Sequence, residues 1–112
     1  EVGRPLSGPR ALVLKADRTS VHAQYTILVP RRSEVESRLG EAQIPTAVHY
    51  PTPLNAQDAY RTIANPDPTP VSAWLAAHVL SLPMGPDLSA AEQERVVQAL
   101  REAIGAVEAE PR

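Results

Sequence analysis

The stretch from Ile44 to Leu54 restricts the fold more than any other part of this sequence, because prolines stand at positions 45, 51 and 53. Proline lacks a backbone N–H and fixes its own φ angle, so regular structure is confined to the residues between them. Residues Thr46 to Tyr50 therefore predict a short strand that Pro51 ends. This strand delivers the imidazole of His49 and the phenol of its neighbour into a rigid loop.

A second strand is predicted between Val21 and Val29, where every other residue (Val21, Ala23, Tyr25, Ile27 and Val29) is apolar or aromatic. Successive side chains of a strand point to opposite faces, so a period of two indicates a half-buried strand, which Pro30 stops. His22 lies on the face opposite Tyr25, and we expect it to be exposed. The apolar run at 11–15 predicts a further short strand.

Two Ser-x-x-Glu sequences predict helix starts, because the two side chains of such a capping box satisfy backbone N–H groups of the first turn. The box at Ser33–Glu36 predicts a short helix ending near Gly40 or Gln43. The box at Ser89–Glu92 starts a helix whose apolar residues follow helical spacing, and Gly105 is placed to terminate it.

The middle of the chain is divided by prolines. Residues 55–64 are compatible with one or two helical turns, whereas the sequence Asn-Pro-Asp-Pro-Thr-Pro at 65–70 excludes regular structure. Pro70 suits the first position of a helix that Thr69 caps. The apolar segment 80–84 predicts one more short strand.

This order of elements predicts the α+β class, with a small, mainly antiparallel sheet and helices packed on one face. Residues 1–10 are predicted to be a linker or lead-in, residues 11–105 the folded domain, and residues 106–112 a frayed tail.

Composition limits the stability of this domain. The chain of 112 residues has no Phe, one Trp, one Met and three Tyr, and much of its 43% hydrophobic content is Ala. Since stabilisation scales with the apolar area buried, an Ala-rich core in one small domain is marginal. We therefore expect the chain to pack against further protein.

Charge and cysteine content exclude several classes of function. The net charge is −2 and the charges are interspersed, so no basic stripe for nucleic acid is present. Without cysteine, the chain has no disulfide, catalytic thiolate or cysteine-bound zinc. No apolar run reaches the roughly 18 residues that span a bilayer, so a soluble, cytoplasmic protein without membrane contact is the expectation.

Ordered pieces of the sequence resemble the C-terminal part of the DegT/DnrJ/StrS family of sugar aminotransferases. The matching pieces between Ser20 and Ile104 are Ala23–Ile27, Ile44–Thr46, Ala47–Pro51, Pro53–Leu54, Tyr60, Leu80–Met84, Pro86, Leu88 and Glu92–Gln93. Within the family, the resemblance is closest to enzymes that aminate a 3-oxo sugar acid attached to UDP, for diacetamido uronic acids of bacterial surface polysaccharides.

The resemblance implies a larger parent enzyme. Pyridoxal phosphate would lie in an N-terminal catalytic domain that this chain lacks, where a lysine forms the Schiff base. The parent would be a homodimer with active sites at the subunit interface, acting on a sugar-nucleotide substrate with glutamate as the usual amino donor.

The chain's own residues do not supply this chemistry. Its one lysine, Lys15, precedes the matching strand, and nothing around it resembles the Schiff-base motif. A helix entry suited to the cofactor phosphate is also missing. We therefore expect no catalytic residue and no bound cofactor in this chain, and no transamination by the chain alone.

His49, Tyr50 and Tyr60 are the candidate substrate-binding residues. An imidazole beside a phenol suits a sugar hydroxyl or carboxylate, because each can make one directed hydrogen bond. Adjacent strand residues point to opposite faces, and a buried histidine with a core tyrosine is the alternative that spacing alone allows. The resemblance implies instead that the pair meets the sugar, and that Tyr60 either lines this site or caps the core.

Other polar and aromatic residues have simpler interpretations. His22, His49 and His78 are far apart in sequence and have no carboxylate at ligand spacing, which argues against a metal site. Trp74 is interpreted as a core or domain-interface anchor, and the pair Arg31–Arg32 as solvated surface before a helix.

Three functions remain open at this point. The first is the C-terminal domain of a sugar-nucleotide aminotransferase, which completes the sugar site and the dimer. The second is a stand-alone, non-enzymatic α+β interaction module related to that domain. The third is a small independent enzyme that uses His49 as acid or base, which predicts activity in the chain alone.

Overall fold

A computed structural model describes residues 3–65 and 67–110 of the chain. Its regular elements, in chain order, are β1 (Arg10–Ala11), β2 (Tyr25–Leu28), α1 (Arg32–Glu41), a 3-10 turn (Leu54–Ala56), α2 (Pro70–His78), β3 (Val79–Leu82) and α3 (Ala90–Ala109). The strands form one antiparallel sheet in the order β1-β2-β3. The predicted α+β class with a small antiparallel sheet is confirmed.

The register between β2 and β3 assigns each residue to a face of the sheet. Ile27 lies opposite Leu80, and Thr26 lies opposite Ser81. Because strand side chains alternate between faces, these two pairs point to opposite sides. The Ile27 side carries the main core, and the Thr26 side carries the polar groups discussed below.

The main core lies between the sheet and the helices α1 and α3. Its buried members are Ile27, Val29, Val35, Leu39, Ile44, Leu80, Val96, Ala103, Ile104 and Val107. Four of the five largest fully buried side chains, those of Leu39, Val29, Val35 and Val107, come from outside the strands. The two helices therefore supply much of the area that stabilises the fold.

A smaller apolar cluster lies on the other side of the sheet. Leu6, Leu28 and Val79 are buried in it, and Trp74 and Leu75 of α2 pack against it. Trp74 thus anchors α2 to the domain, which agrees with the prediction of a core anchor. Leu6 makes part of the predicted lead-in a structural element, whereas residues 1 and 2 lie outside the described residues.

The strands are shorter than predicted. The period-two run at 21–29 is regular only over Tyr25–Leu28, and Val21 is 94% exposed. The expected strand at 11–15 is reduced to Arg10–Ala11, and the residues that follow it are exposed. The strand predicted at Thr46–Tyr50 is wrong, because only Ala47 pairs there, through an isolated bridge to Ser81.

The capping box predicted at Ser33 does not form. Helix α1 begins at Arg32, so Ser33 lies inside its first turn and cannot cap it. The N-cap residue is Arg31, which has a left-handed conformation with φ 45° and makes no side-chain cap hydrogen bond. Its guanidinium instead contacts Glu34, whose carboxylate favours the positive end of the helix dipole.

The two later helices follow the sequence more closely at their starts. Pro70 occupies the first turn of α2, but Thr69 makes no cap bond; its hydroxyl donates instead to Asn55 Oδ1 at 3.2 Å. In α3 the predicted box is confirmed: the Ser89 N–H donates to Glu92 Oε2 at 2.8 Å, and the Glu92 N–H donates to Ser89 Oγ at 3.1 Å.

Helix α3 does not end at Gly105. It continues to Ala109, and Val107 is fully buried, so the tail predicted from residue 106 is helical over its first four residues. Gly105 is exposed within the helix and needs no special conformation. Burial of Val107 against the core outweighs the weak helix propensity of one glycine. Residues 111 and 112 lie outside the described residues.

The prediction that Arg31 and Arg32 are solvated surface is also wrong. Both side chains are partly buried. Arg31 donates to the carbonyls of Val107 and, at 3.2 Å, Glu110 at the end of α3. Arg32 donates to the carbonyl of Ala76 in the last turn of α2.

Candidate functional site

The loop that follows α1 is fixed to the outer edge of β3. Ile44 is buried in the core, and its N–H donates to the carbonyl of Leu39 at 2.8 Å. Three residues later, Ala47 exchanges two backbone hydrogen bonds with Ser81, at 2.7 and 3.1 Å. The loop is therefore held at two points immediately before His49, which limits where the imidazole can lie.

The Ala47 bridge also determines how Ser81 meets β2. Both backbone polar groups of Ser81 point outward to Ala47, so the Thr26–Ser81 pair is of the non-hydrogen-bonded kind, in which side chains approach most closely. The two hydroxyl oxygens lie 2.9 Å apart. Hydrogen-bonded hydroxyls of this kind are a favourable cross-strand pair.

His49 joins this pair of hydroxyls. Its Nδ1 atom lies 3.3 Å from Ser81 Oγ, and its ring is partly buried. The ring of Tyr50 meets the imidazole edge-on, with centroids 5.5 Å apart and an interplanar angle of 72°, while the tyrosine remains 67% exposed. The two rings therefore lie in contact, as expected from the sequence.

An open groove of about 300 Å³ lies beside His49. Its lining residues are Ala23, Gln24, Pro45, Thr46, Ala47, His49, Ser81, Leu82, Pro83 and Met84. His49 is the one titratable side chain in this lining, and Gln24 and Thr46 add an amide and a hydroxyl. These imidazole, amide and hydroxyl groups can each make directed hydrogen bonds, which suits the hydroxyl, amide or carboxylate groups of a sugar.

Tyr60 is not brought into this groove. It lies in the turns after the 3-10 element and is 43% exposed. Its N–H donates to the Gln57 carbonyl at 3.0 Å, and its own carbonyl accepts from Ala64 at 2.8 Å. The structure thus joins His49 and Tyr50 but leaves Tyr60 outside their contact.

Sequence reasoning missed two residues of this site, Thr26 and Ser81. Ser81 is 6% exposed, although it is polar, and it stands between two leucines in a strand. A serine inside an apolar run signals a buried hydroxyl that needs a partner. The identity of that partner depends on the strand register, which the sequence does not reveal.

The histidines do not converge on a metal site. His22 is exposed, and His78 stacks on Trp74, with centroids 4.4 Å apart, while its Nδ1 lies 2.7 Å from the Trp74 carbonyl. Over residues 3–65 and 67–110, no group of three or more His, Cys, Asp or Glu side chains could hold a metal ion. Within the same ranges, none of the helices is both long and apolar enough to cross a membrane.

The one lysine of the chain is not placed to form an imine with pyridoxal phosphate. Lys15, the one lysine in the sequence, is exposed in a turn closed by a 3.0 Å hydrogen bond from the Arg18 N–H to the Lys15 carbonyl. An imine-forming lysine needs a desolvated pocket or a neighbouring cation that lowers its pKa, and an exposed turn offers no such pocket.

The fold and the site define a small α+β domain with an open groove at the sheet edge, lined in part by His49, and with its one lysine in an exposed turn. The chain belongs to the DegT/DnrJ/EryC1/StrS aminotransferase family, which it matches over residues 6–101. The resemblance found in the sequence is therefore confirmed.

Two curated relatives illustrate the similarity. The chain is 40% identical over 87 residues to UDP-2-acetamido-2-deoxy-3-oxo-D-glucuronate aminotransferase of Pseudomonas aeruginosa, covering 78% of the chain and 24% of that protein. It is 35% identical over 102 residues to dTDP-3-amino-3,4,6-trideoxy-alpha-D-glucose transaminase of Streptomyces venezuelae, covering 90% of the chain and 25% of that protein. The chain thus spans about a quarter of their length.

Solved structures have the same fold. The crystal structure of S. venezuelae DesV in complex with a ketimine intermediate matches with a TM-score of 0.78 and 37% identity, over 87% of the chain and 26% of that structure. A DegT/DnrJ/EryC1/StrS aminotransferase from Brucella abortus matches with the same TM-score and 35% identity, over 87% and 26%.

Proposed function

We propose that this chain is the C-terminal domain of a pyridoxal-phosphate-dependent sugar-nucleotide aminotransferase, and that it completes the sugar site of that enzyme. The observation that carries the proposal is the pairing of His49 with Tyr50 beside a groove that His49 lines, in a chain that aligns with about a quarter of each relative. The remaining three quarters would hold the cofactor and its lysine.

The substrate would be a keto-sugar nucleotide. The names of the two relatives describe amino transfer to nucleotide-linked sugars, one carried on UDP and the other on dTDP. We favour a UDP-linked 3-oxo sugar acid, because the chain is more similar to the UDP-sugar relative than to the dTDP-sugar relative. The amino donor would be glutamate, as the family resemblance implies. Such an enzyme would work in the cytoplasm and feed the synthesis of bacterial surface polysaccharide.

The residues of this chain would bind the sugar, and the cofactor would carry out the amino transfer. Pyridoxal phosphate, bound elsewhere in the parent, supplies the electron sink for amino transfer. Here His49 and Tyr50 would hydrogen-bond the sugar and fix its orientation. Tyr60, which lies outside the groove, would contact a part of the substrate that extends beyond it.

Exposed apolar side chains support packing against further protein, both the missing N-terminal domain and the second subunit of a homodimer. Leu12, Val13 and Leu14 are 52%, 88% and 53% exposed in succession, and Val21 is 94% exposed. Soluble domains rarely leave such runs in water unless another surface covers them.

The test is substitution of His49 in the longer enzyme. His49→Ala should lower turnover of the sugar nucleotide about tenfold or more while leaving the absorbance of the bound cofactor intact. The matched control is His22→Asn, because His22 is exposed with φ 49°, a conformation that Asn tolerates.

Unchanged kinetics in His49→Ala would remove His49 from the site. The isolated chain should catalyse no transamination with pyridoxal phosphate and glutamate. If the isolated chain were active and His49→Ala abolished that activity, a small independent enzyme would replace the proposal.

A further inference from the structure

We propose that Ser81 is a positioning residue for His49, held in place by Thr26, so that only the Nε2 edge of the imidazole is offered to a ligand in the groove. The ligand class, a sugar hydroxyl or amide, rests on the function proposed above. The positioning itself rests on the geometry of three side chains and can be tested separately.

Both the backbone and the side chain of Ser81 are held by neighbouring residues. Its backbone is bonded to Ala47 in both directions, and its side chain lies in register with Thr26 on β2. Among the described residues it is the one polar side chain classed as buried, at 6% exposure. A buried hydroxyl costs free energy unless it is hydrogen-bonded. Conformations that keep the hydrogen-bond partners of Ser81 within reach are therefore favoured.

The hydroxyl of Ser81 has two side-chain partners, Thr26 Oγ1 at 2.9 Å and His49 Nδ1 at 3.3 Å. Serine offers one proton and two lone pairs, so it can donate to one of these partners while accepting from the other. The three groups form a chain of hydrogen bonds that runs from the sheet to the imidazole.

This chain of hydrogen bonds determines what the free nitrogen of His49 can do. If Ser81 donates to Nδ1, the neutral imidazole carries its proton on Nε2 and donates to the ligand. If Nδ1 carries the proton and donates to Ser81, the serine donates to Thr26, and Nε2 accepts. A sugar hydroxyl can serve either arrangement, because it both donates and accepts.

Nuclear magnetic resonance of the full 112-residue chain tests the positioning directly. Ser81→Ala and Thr26→Val should each change the nitrogen-15 shifts of the His49 ring, since the first removes the partner of Nδ1 and the second removes the hydroxyl that is hydrogen-bonded to this partner. Ser37→Ala, which removes an exposed hydroxyl from α1, is the matched control. His49 ring shifts that stay unchanged in both test variants would overturn the proposal.

Kinetics of the longer enzyme test whether Ser81 acts through His49. Ser81→Ala should lower kcat/KM for the sugar nucleotide about fivefold, the effect of one hydrogen bond, and in a His49→Ala background it should change kcat/KM less than about twofold. Thr26→Val should also lower kcat/KM, whereas Thr26→Ser, which keeps the hydroxyl, should retain the wild-type kcat/KM.

The outcomes separate the two proposals. Equal losses from Ser81→Ala with and without His49 would show a merely structural role and overturn the inference. If His49→Ala leaves turnover unchanged, the proposed sugar site fails, and the ring shifts alone then decide whether Ser81 positions His49.

Discussion

The guanidinium of Arg31 donates a hydrogen bond to the backbone carbonyl of Val107, 76 residues further along the chain. The last carbonyls of a helix have no partner within it, and a cation there also interacts favourably with the helix dipole. The next residue, Arg32, does the same for the end of α2 through the carbonyl of Ala76. Two adjacent arginines thus secure the ends of two helices.

Substitution of Arg31 should therefore destabilise the domain. We expect Arg31→Gln to lower the free energy of unfolding by about 1–2 kcal/mol, since charge-assisted hydrogen bonds to carbonyls are lost at a partly buried site. Urea denaturation followed by circular dichroism measures this. The control is Arg61→Gln, whose ion pair with Asp58 is exposed and should contribute less than about 0.5 kcal/mol. Equal effects of the two variants would contradict the helix-end role.

Burial of the end of α3 gives a second prediction. Val107→Ala should lower the free energy of unfolding by about 2 kcal/mol, because two methyl groups leave a fully buried site and a small cavity remains. Val97→Ala on the same helix is the control, since Val97 is 46% exposed and should lose less than about 1 kcal/mol. A frayed tail from residue 106 would instead make Val107→Ala neutral.

The capping box of α3 predicts a dependence of stability on pH. The Ser89 backbone N–H and then its hydroxyl interact with the Glu92 carboxylate and hold its pKa below 4.5. The folded state therefore favours the ionised form, so this contribution is fully present well above the pKa of an unfolded glutamate and is lost as the pH falls through the lower folded pKa. Glu92→Gln keeps an acceptor that cannot titrate.

Thermal or urea unfolding across the acid range checks this sign. The stability difference between wild type and Glu92→Gln should be constant above about pH 5.5 and shrink on acidification. Glu94→Gln, which changes a carboxylate that makes no hydrogen bond with Ser89, is the control and should not reproduce this profile. A difference that grew towards acid would contradict the assignment.

The two candidate tyrosines should differ in the longer enzyme. Tyr50→Phe removes a phenol beside His49 and should lower kcat/KM for the sugar nucleotide about fivefold, as expected for one hydrogen bond. Tyr60→Phe changes a phenol that lies outside the contact between His49 and Tyr50, and we expect about a twofold loss. Steady-state kinetics with each variant measures both, and a larger loss at Tyr60 would reverse this order.

Local signals in the sequence predicted part of the fold. The box of Ser89 and Glu92 and the proline at position 70 acted as predicted, because both depend on residues within one turn. The box at Ser33 failed because α1 begins one residue earlier, with Arg31 at its N-cap. That choice reflects contacts between Arg31 and α3, which no local pattern encodes.

The same difference between local signals and long-range contacts applies to the candidate site. His49 and Tyr50 were identified because they are adjacent in a proline-bounded segment and because the segment resembles a known family. Thr26 and Ser81 were missed because they meet only through the pairing of two strands 55 residues apart. Such a pairing depends on tertiary packing, so the contact between the two hydroxyl groups is seen only in the structure.

The bridge between Ala47 and Ser81 also covers backbone hydrogen-bonding groups at the edge of the sheet. An edge strand presents unpaired N–H and C=O groups on which another chain can add a strand and begin aggregation. On the outer edge of β3, Ala47 occupies both groups of Ser81, the Val79 N–H donates to Leu75, and the Val79 carbonyl accepts from Arg32 at 3.4 Å. The loop that carries His49 therefore also covers an edge strand that would otherwise be open to pairing, and variants that loosen this loop should aggregate as well as displace His49.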